Sequence, residues 1–245
     1  MTILSITDLK KSFGSNLVTN DVCVDFKKGE LVSIIGPNGA GKTTLFNLLT
    51  GMIKPDGGKV LYKGQDITGL QPYQTLKYGL SRSFQVVSLF EEMNVLENVA
   101  IGIQSRLGLR GNLLKNFKAN RKIREQSENI LDMLGLLEKR DFPVGAISHG
   151  DRKILDIGMA LSSRPETLLL DEPMSGLAKN ERFRITDLIE KLRQSMTLII
   201  VEHDMDVVFK ISEKILVLHQ GGVLAFDTPG AVSNNKEVQS VYLKG

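Results

Sequence analysis

The chain has 245 residues, enough to bury a substantial core, and its 42% hydrophobic and 24% charged residues are ordinary globular values. A net charge of +3 is too small to argue for a nucleic-acid partner by itself. With Cys23 as its one cysteine it forms no internal disulfide, and no apolar run approaches the roughly 18 residues of a membrane span.

Residues Met1 to Ser5 lack the basic-then-apolar build of a signal peptide. The expectation is a reducing compartment and, at a membrane, a peripheral subunit. Residues 2–35 contain short β-type runs, broken by turn chemistry at Ser12-Phe13-Gly14-Ser15-Asn16 and at Lys27-Lys28-Gly29-Glu30. Cys23 falls in the alternation Val22-Cys23-Val24-Asp25-Phe26 and is expected to be a packed strand residue rather than a reactive thiol. Leu31 to Ile35 reads as a short apolar strand.

The next eight residues, Gly36, Pro37, Asn38, Gly39, Ala40, Gly41, Lys42 and Thr43, fit the pattern G-x-x-x-x-G-K-[ST] of a phosphate-binding loop. Thr44 to Leu49 then carries apolar residues at helical spacing, and Gly51 stands where a helix ends. Strand, loop and helix in that order suit a nucleoside triphosphate. The glycines let backbone N–H groups face the phosphates, and the helix N-terminus adds a favourable partial charge. Lys42 neutralises the β- and γ-phosphates, while the Thr43 hydroxyl is a ligand for Mg²⁺.

Residues 56–67 predict a hairpin turning at Lys63-Gly64. From about Val95 to Leu137 the pattern is helical, as in Ile123, Ser127, Ile130, Leu131 and Leu134. Within this stretch Arg106, Arg110, Lys115, Lys118, Arg121, Lys122 and Arg124 precede the first acid, Glu125. Such a run is a solvated helix face or a contact for anionic lipid headgroups. A nucleic-acid groove would need more interleaved aromatics than Phe117.

Thr167 to Leu170 and Thr197 to Val201 are continuous apolar runs, as in parallel strands buried on both faces. Between them a helix over Glu181 to Arg193 carries Phe183, Ile185, Leu188, Ile189 and Leu192. The class is therefore α/β with a helical insertion. Asp171 and Glu172 end the first of these strands. Two carboxylates there suit an Mg²⁺-dependent hydrolase, with Asp171 holding the metal and Glu172 polarising the attacking water.

In the order of its motifs the chain resembles an ABC-transporter ATP-binding subunit, from Leu4 to about Leu243. The motifs are the phosphate loop, Ser81-Arg82-Ser83-Phe84-Gln85, Ile147-Ser148-His149-Gly150-Asp151, the Asp171-Glu172 strand and Val201-Glu202-His203-Asp204. The resemblance implies a P-loop NTPase core with a mainly parallel sheet, an antiparallel β subdomain and a helical subdomain. Residues 1–86 and 159–230 would form the core with the antiparallel β part, 87–158 the helical part and 231–245 a tail. Phe13 takes the place of the aromatic that stacks on adenine. Gln85 corresponds to the loop glutamine near Mg²⁺ and water, and His203 to the switch histidine on the γ-phosphate. Ser148 and Gly150 match the signature that closes over ATP held by a second copy. The helix after Ser148 gives that reading a physical basis, because a hydroxyl, a glycine N–H and a helix N-terminus together make an anion site.

Two departures from the family pattern stand out. Asp151 replaces a glutamine and would repel a nearby phosphate, and Ala178 replaces the polar residue of the dimer-contact loop. Gln85 to Phe90 and Met93 to Asn98 resemble the segment that meets a membrane subunit, with Leu89 and Phe90 expected to be partly exposed. The tail from Asp227 to Leu243 is similar to importers of branched-chain and other hydrophobic amino acids. Importers of urea or short amides, and soluble ABC ATPases acting on nucleic acid or ribosomes, remain as alternatives. The partners implied are integral membrane permease subunits, a second ATP-binding subunit (identical or not) and, indirectly, a periplasmic or extracellular solute-binding protein. No nucleic acid is expected, and the implied location is the cytoplasmic face of the membrane.

Overall fold

The computed structural model describes residues 1–83, 89–109 and 120–242. Two sheets organise them. The first is antiparallel, in the order β2-β1-β4-β5, from β1 (Thr2–Phe13), β2 (Asn16–Lys27), β4 (Gly57–Tyr62) and β5 (Gln65–Asp66). The second runs β10-β9-β3-β8-β7-β6, from β3 (Leu31–Ile35), β6 (Leu80–Arg82), β7 (Thr167–Asp171), β8 (Thr197–Val201), β9 (Lys214–His219) and β10 (Gly222–Asp227). All its pairings are parallel except β9 with β10. The expected hairpin turn is present, with Tyr62 paired to Gln65 across Lys63-Gly64.

The continuous apolar runs divide their side chains between two faces of this sheet. Leu31, Leu168, Leu170, Leu198 and Ile200 face one way. They meet α3 (Val95–Arg106), α5 (His149–Leu161) and α6 (Lys179–Leu192), and α4 (Arg121–Met133) adds Ile123 and Leu131 to the same core. Val32, Ile34, Leu169, Ile199 and Val201 face the other way, onto α1 (Lys42–Leu49) and the antiparallel sheet. Each such side chain contributes about 1.5–3 kcal/mol on burial, so a strand loaded on both faces belongs in the middle of the protein. Shorter α-helices among the described residues are α2 (Pro72–Tyr78), α7 (Met205–Ile211), α8 (Pro229–Ser233) and α9 (Lys236–Tyr242). No helix among the described residues is long and apolar enough to cross a membrane.

One expectation needs correction. Cys23 lies on β2 but is exposed, because Val22, Val24 and Phe26 take the inward positions and leave it outward between Asp21 and Asp25. Its thiol donates to Asp8 Oδ1 at 3.2 Å. Phe183 is on α6 as expected but is 54% exposed, since Ile185, Leu188, Ile189 and Leu192 already define the buried stripe. The basic run reads chiefly as a solvated face where it is described. Arg121 pairs with Glu125 and Arg124 with Glu128 along the exposed side of α4. Arg110, Lys115, Phe117 and Lys118 lie outside the described residues.

Candidate active site

The chemistry-bearing residues gather at the C-terminal ends of three adjacent parallel strands, where open α/β sheets place their ligands. Ile34 of β3 pairs with Val201 of β8, and Val201 pairs with Asp171 of β7. One row across the sheet therefore sets three departures side by side: the loop after β3, Glu172 after β7, and Glu202-His203 after β8.

The loop fits only glycine where it is tightest. A Cβ on Gly36 would stand 2.4 Å from the Leu218 carbonyl oxygen, and Gly41 has φ 98° with Val18 O 2.6 Å from where its Cβ would be. Gly41 is also the N-cap of α1, and no side chain caps that terminus. Its amide donors and partial positive charge are left to a ligand. The Lys42 ammonium folds over the loop, donating to Gly36 O at 2.6 Å and Pro37 O at 3.0 Å. Burial lowers its pKa, and the charges of Glu172 and Asp171 oppose that effect. Thr43 is exposed beside it, with Asn38 and Gly39 also open to solvent.

Asp171 is fully buried at the end of β7. One carboxylate oxygen pairs with Arg82, which also donates to Asn47 Oδ1 at 2.6 Å and lies over the Phe46 ring. The other oxygen, Oδ1, is buried with no hydrogen-bond partner among the described residues. Glu172 adopts φ 48°, the left-handed region that costs a non-glycine residue about 1–3 kcal/mol. Three contacts hold it there. Its N–H donates to Val201 O at 2.9 Å, and its carbonyl accepts from Ser175 N–H at 3.1 Å and from the Lys153 ammonium at 3.2 Å. Its carboxylate meets His203 Nε2 at 2.7 Å. Glu202 is buried and braces the two strand ends by accepting from the N–H groups of Met174 (2.8 Å) and His203 (3.0 Å). Burial raises its pKa against the pull of these donors.

Ser148 is the N-cap of α5, its hydroxyl accepting from Asp151 N–H at 3.1 Å. Gly150 N–H, in the first turn of that helix, donates to Glu181 Oε1 at 3.2 Å, while Glu181 Oε2 accepts from Ala178 N–H at 3.1 Å. Asp151 does not face the place a phosphate would take. Its buried carboxylate is held between Lys139 and Arg184. Burial alone would raise its pKa, and these two cations overcome that and lower it.

The structure thus brings Lys42, Asp171, Glu172 and His203 together. Phe13 stands apart at the end of β1, 51% exposed with Lys11 over its ring at 5.7 Å, although the same hairpin touches the loop through Val18. Gln85 lies outside the described residues. Phe90 is 47% exposed and Leu89 partly buried, as expected, and Phe90 N–H donates to the buried Asn98 Oδ1 at 2.9 Å. Arg82, Lys153 and Glu181 escaped the sequence reading. A basic residue at the end of so short a β-run as Leu80-Ser81-Arg82 was the available signal for the first.

Comparison with known proteins agrees with this geometry. Residues 19–175 match the "ABC transporter" family. The chain is 40% identical to the high-affinity branched-chain amino acid transport ATP-binding protein LivG of Escherichia coli K12, over 98% of this chain and 97% of that one. It is 37% identical to BraF of Pseudomonas aeruginosa, with the same coverage of both chains, and that protein carries the same description. Two solved structures, a nucleotide-free ATP-binding cassette from an ABC transporter and an ABC-transporter cassette in its ADP conformation, each superpose with a TM-score of 0.87 at 30% identity. The first covers 99% of both chains and the second 100% of both.

Proposed function

The chain belongs to the ABC transporter family, and we propose that it is the ATP-hydrolysing subunit of an importer of branched-chain or other hydrophobic amino acids. The observation that carries the catalytic part is the convergence of Lys42, Glu172 and His203 at neighbouring strand ends. Lys42 moves from the loop carbonyls onto the β- and γ-phosphates, the N–H groups of Gly36 to Thr44 cradle them, and Phe13 stacks on the base. Glu172 takes the proton of the attacking water, and His203 and Gln85 stabilise the charge that spreads over the γ-phosphoryl oxygens. Ser148 and Gly150 of a second subunit complete the site.

Mg²⁺ fits these residues. The buried Asp171 Oδ1 lacks a partner among the described residues, and Thr43, next to Lys42 in the loop, is exposed. Among the described residues no cluster of three His, Cys, Asp or Glu exists that would hold a metal unaided. When bound, the ion neutralises charge between the β- and γ-phosphates.

The division proposed is a nucleotide-binding core with antiparallel β part (1–86 and 159–230), a helical part (87–158) and a tail (231–245). Its support is that the helical insertion packs on one sheet face and the antiparallel strands on the other. Membrane permease subunits would meet the exposed Phe90, holding the protein at the cytoplasmic face, with a solute-binding protein acting through them. The test is reconstitution with permease subunits of a branched-chain amino acid importer and measurement of ATP hydrolysis with leucine and its binding protein. Stimulation several-fold over the uncoupled rate is expected, and its loss in Phe90→Asp with ATP binding intact. Stimulation by RNA or ribosomes instead would overturn the transport reading, and undiminished ATP binding by Lys42→Ala would overturn the loop assignment.

A further inference from the structure

A cleft of about 390 Å³ opens between the end of α3, α4, the α5–β7 connection and the end of α6. None of its lining residues belongs to the phosphate loop or to the strand ends that carry Asp171, Glu172 and His203. Its volume lies within the range of roughly 300–1,000 Å³ usual for small-molecule sites. Two arginines line it, and no lining residue is acidic.

Arg106 is fixed in place, donating to Ser162 O at 2.9 Å and to the Gln126 side chain. Arg164 stands close enough for its charge to lower the pKa of Arg106 further, beyond the larger effect of burial. Arg164 is held at φ 56°, a left-handed conformation uncommon for an arginine, and the residue is exposed. Of the acids next to lining residues in sequence, Glu166 pairs with Lys63 and Lys28, Glu190 with Arg193, Glu125 with Arg121 and Glu128 with Arg124, while Asp132 is open to solvent. The rest of the wall is mostly apolar, with Leu161 and Leu192 beneath and Met133 and Met196 at the rim, interrupted by the polar Gln126, Asn129 and Ser195.

Like charges set side by side over apolar surface, with no acid between them, are costly until an anion arrives. We propose that this cleft binds a small aliphatic monocarboxylate, its carboxylate between Arg106 and Arg164 and its hydrocarbon tail on Leu161 and Leu192. The guanidinium fork of Arg164 matches a carboxylate's two oxygens, Arg106, whose terminal nitrogens already donate to Ser162 and Gln126, adds its charge, and the apolar part of the wall selects for the tail. Because the cleft joins α3 and α4 to the core helix α6, an occupant would tie the helical insertion to the sheet. This inference does not rest on the assignment of the ATP site.

The test is calorimetric titration and thermal unfolding of the intact protein without nucleotide, using 4-methylpentanoate as probe. Saturable millimolar or tighter binding and a raised Tm are expected. Acetate and inorganic phosphate should bind at least ten-fold more weakly for want of the tail, and neutral 4-methylpentanamide for want of the charge. Arg164→Gln, at an exposed position, should fold normally and weaken the carboxylate about ten-fold or more. No binding, equal binding of the amide, equal binding of acetate or phosphate, or undiminished binding by Arg164→Gln would each overturn the proposal. ATP hydrolysis lost or kept bears only on the separate nucleotide site, so the two readings fail independently.

Discussion

Glu181 of α6 places its carboxylate on the Gly150 N–H at the start of α5, where the family resemblance expects a γ-phosphate from a second subunit. An internal anion thus sits at a helix N-terminus whose dipole favours negative charge. The same carboxylate accepts from Ala178 N–H, one half of a capping box whose other half Ala178, lacking a polar side chain, leaves unmade. A phosphate arriving at Gly150 must displace Glu181 first.

Glu181→Gln keeps an acceptor for Ala178 N–H and removes the competing charge. A charge at a helix terminus is worth about 0.3–1 kcal/mol, so the ATP concentration for half-maximal dimer formation should fall about two- to five-fold. Light scattering against MgATP concentration measures it. An unchanged midpoint would mean that Glu181 does not compete with the nucleotide.

Lys153 reaches from the first turns of α5 to the carbonyl of Glu172, which is held in a left-handed conformation. It is a positioning residue, since it touches backbone rather than substrate. Lys153→Met should lower kcat about ten-fold or more while leaving ATP affinity intact, because hydrogen bonds to a charged donor contribute about 1.5–3 kcal/mol. Lys153→Arg should recover part of the rate. A lowered Tm with unaltered kcat would reduce the contact to packing.

Most of the fold could be read from residue patterns, since β3, β7 and β8 are unbroken apolar runs and the loop motif is local in sequence. The antiparallel hairpin at Lys63-Gly64 was legible for the same reason. What escaped depends on which way a side chain turns. Cys23 alternates with Val22 and Val24 as a strand residue should, yet alternation alone does not say which set faces the core. Asp151 stands where the family has glutamine, and the sequence alone predicts that its charge repels a nearby phosphate. Only the fold shows Lys139, twelve residues earlier, and Arg184, thirty-three residues later, closing around it.

That enclosure gives Asp151 a pH signature. Lys139 and Arg184 hold its carboxyl below the ordinary value, so the stabilisation is fully present above the unfolded pKa of about 3.9 and is lost as pH falls through the lower folded value. Asp151→Asn should cost about 1–3 kcal/mol at pH 7, less than a fully buried pair because both cations are half-exposed. The difference between the two proteins should shrink as pH drops below about 4. Urea unfolding from pH 7 to pH 3.5 reads this directly, and a gap that widens on acidification would contradict the assigned ion pairs.

The contact between Glu172 and His203 ties the base to the residue expected on the γ-phosphate. In Glu172→Gln the shape and a hydrogen-bonding partner for His203 remain, while the proton acceptor is gone. A positioned base contributes on the order of 10²–10⁴ in rate, so steady-state hydrolysis should fall by at least two orders of magnitude. The substitution also removes a negative charge that faces the phosphates across Lys42, so nucleotide affinity should hold or rise. Without turnover, a second copy that has closed over ATP has no step that releases it. Sizing chromatography with MgATP should therefore show a persistent dimer in the mutant and a transient one in the parent. Hydrolysis at the parent's rate would remove Glu172 as the base. A mutant that loses hydrolysis yet stays monomeric with MgATP would leave Glu172 in place and count against closure of Ser148 and Gly150 over the partner's nucleotide.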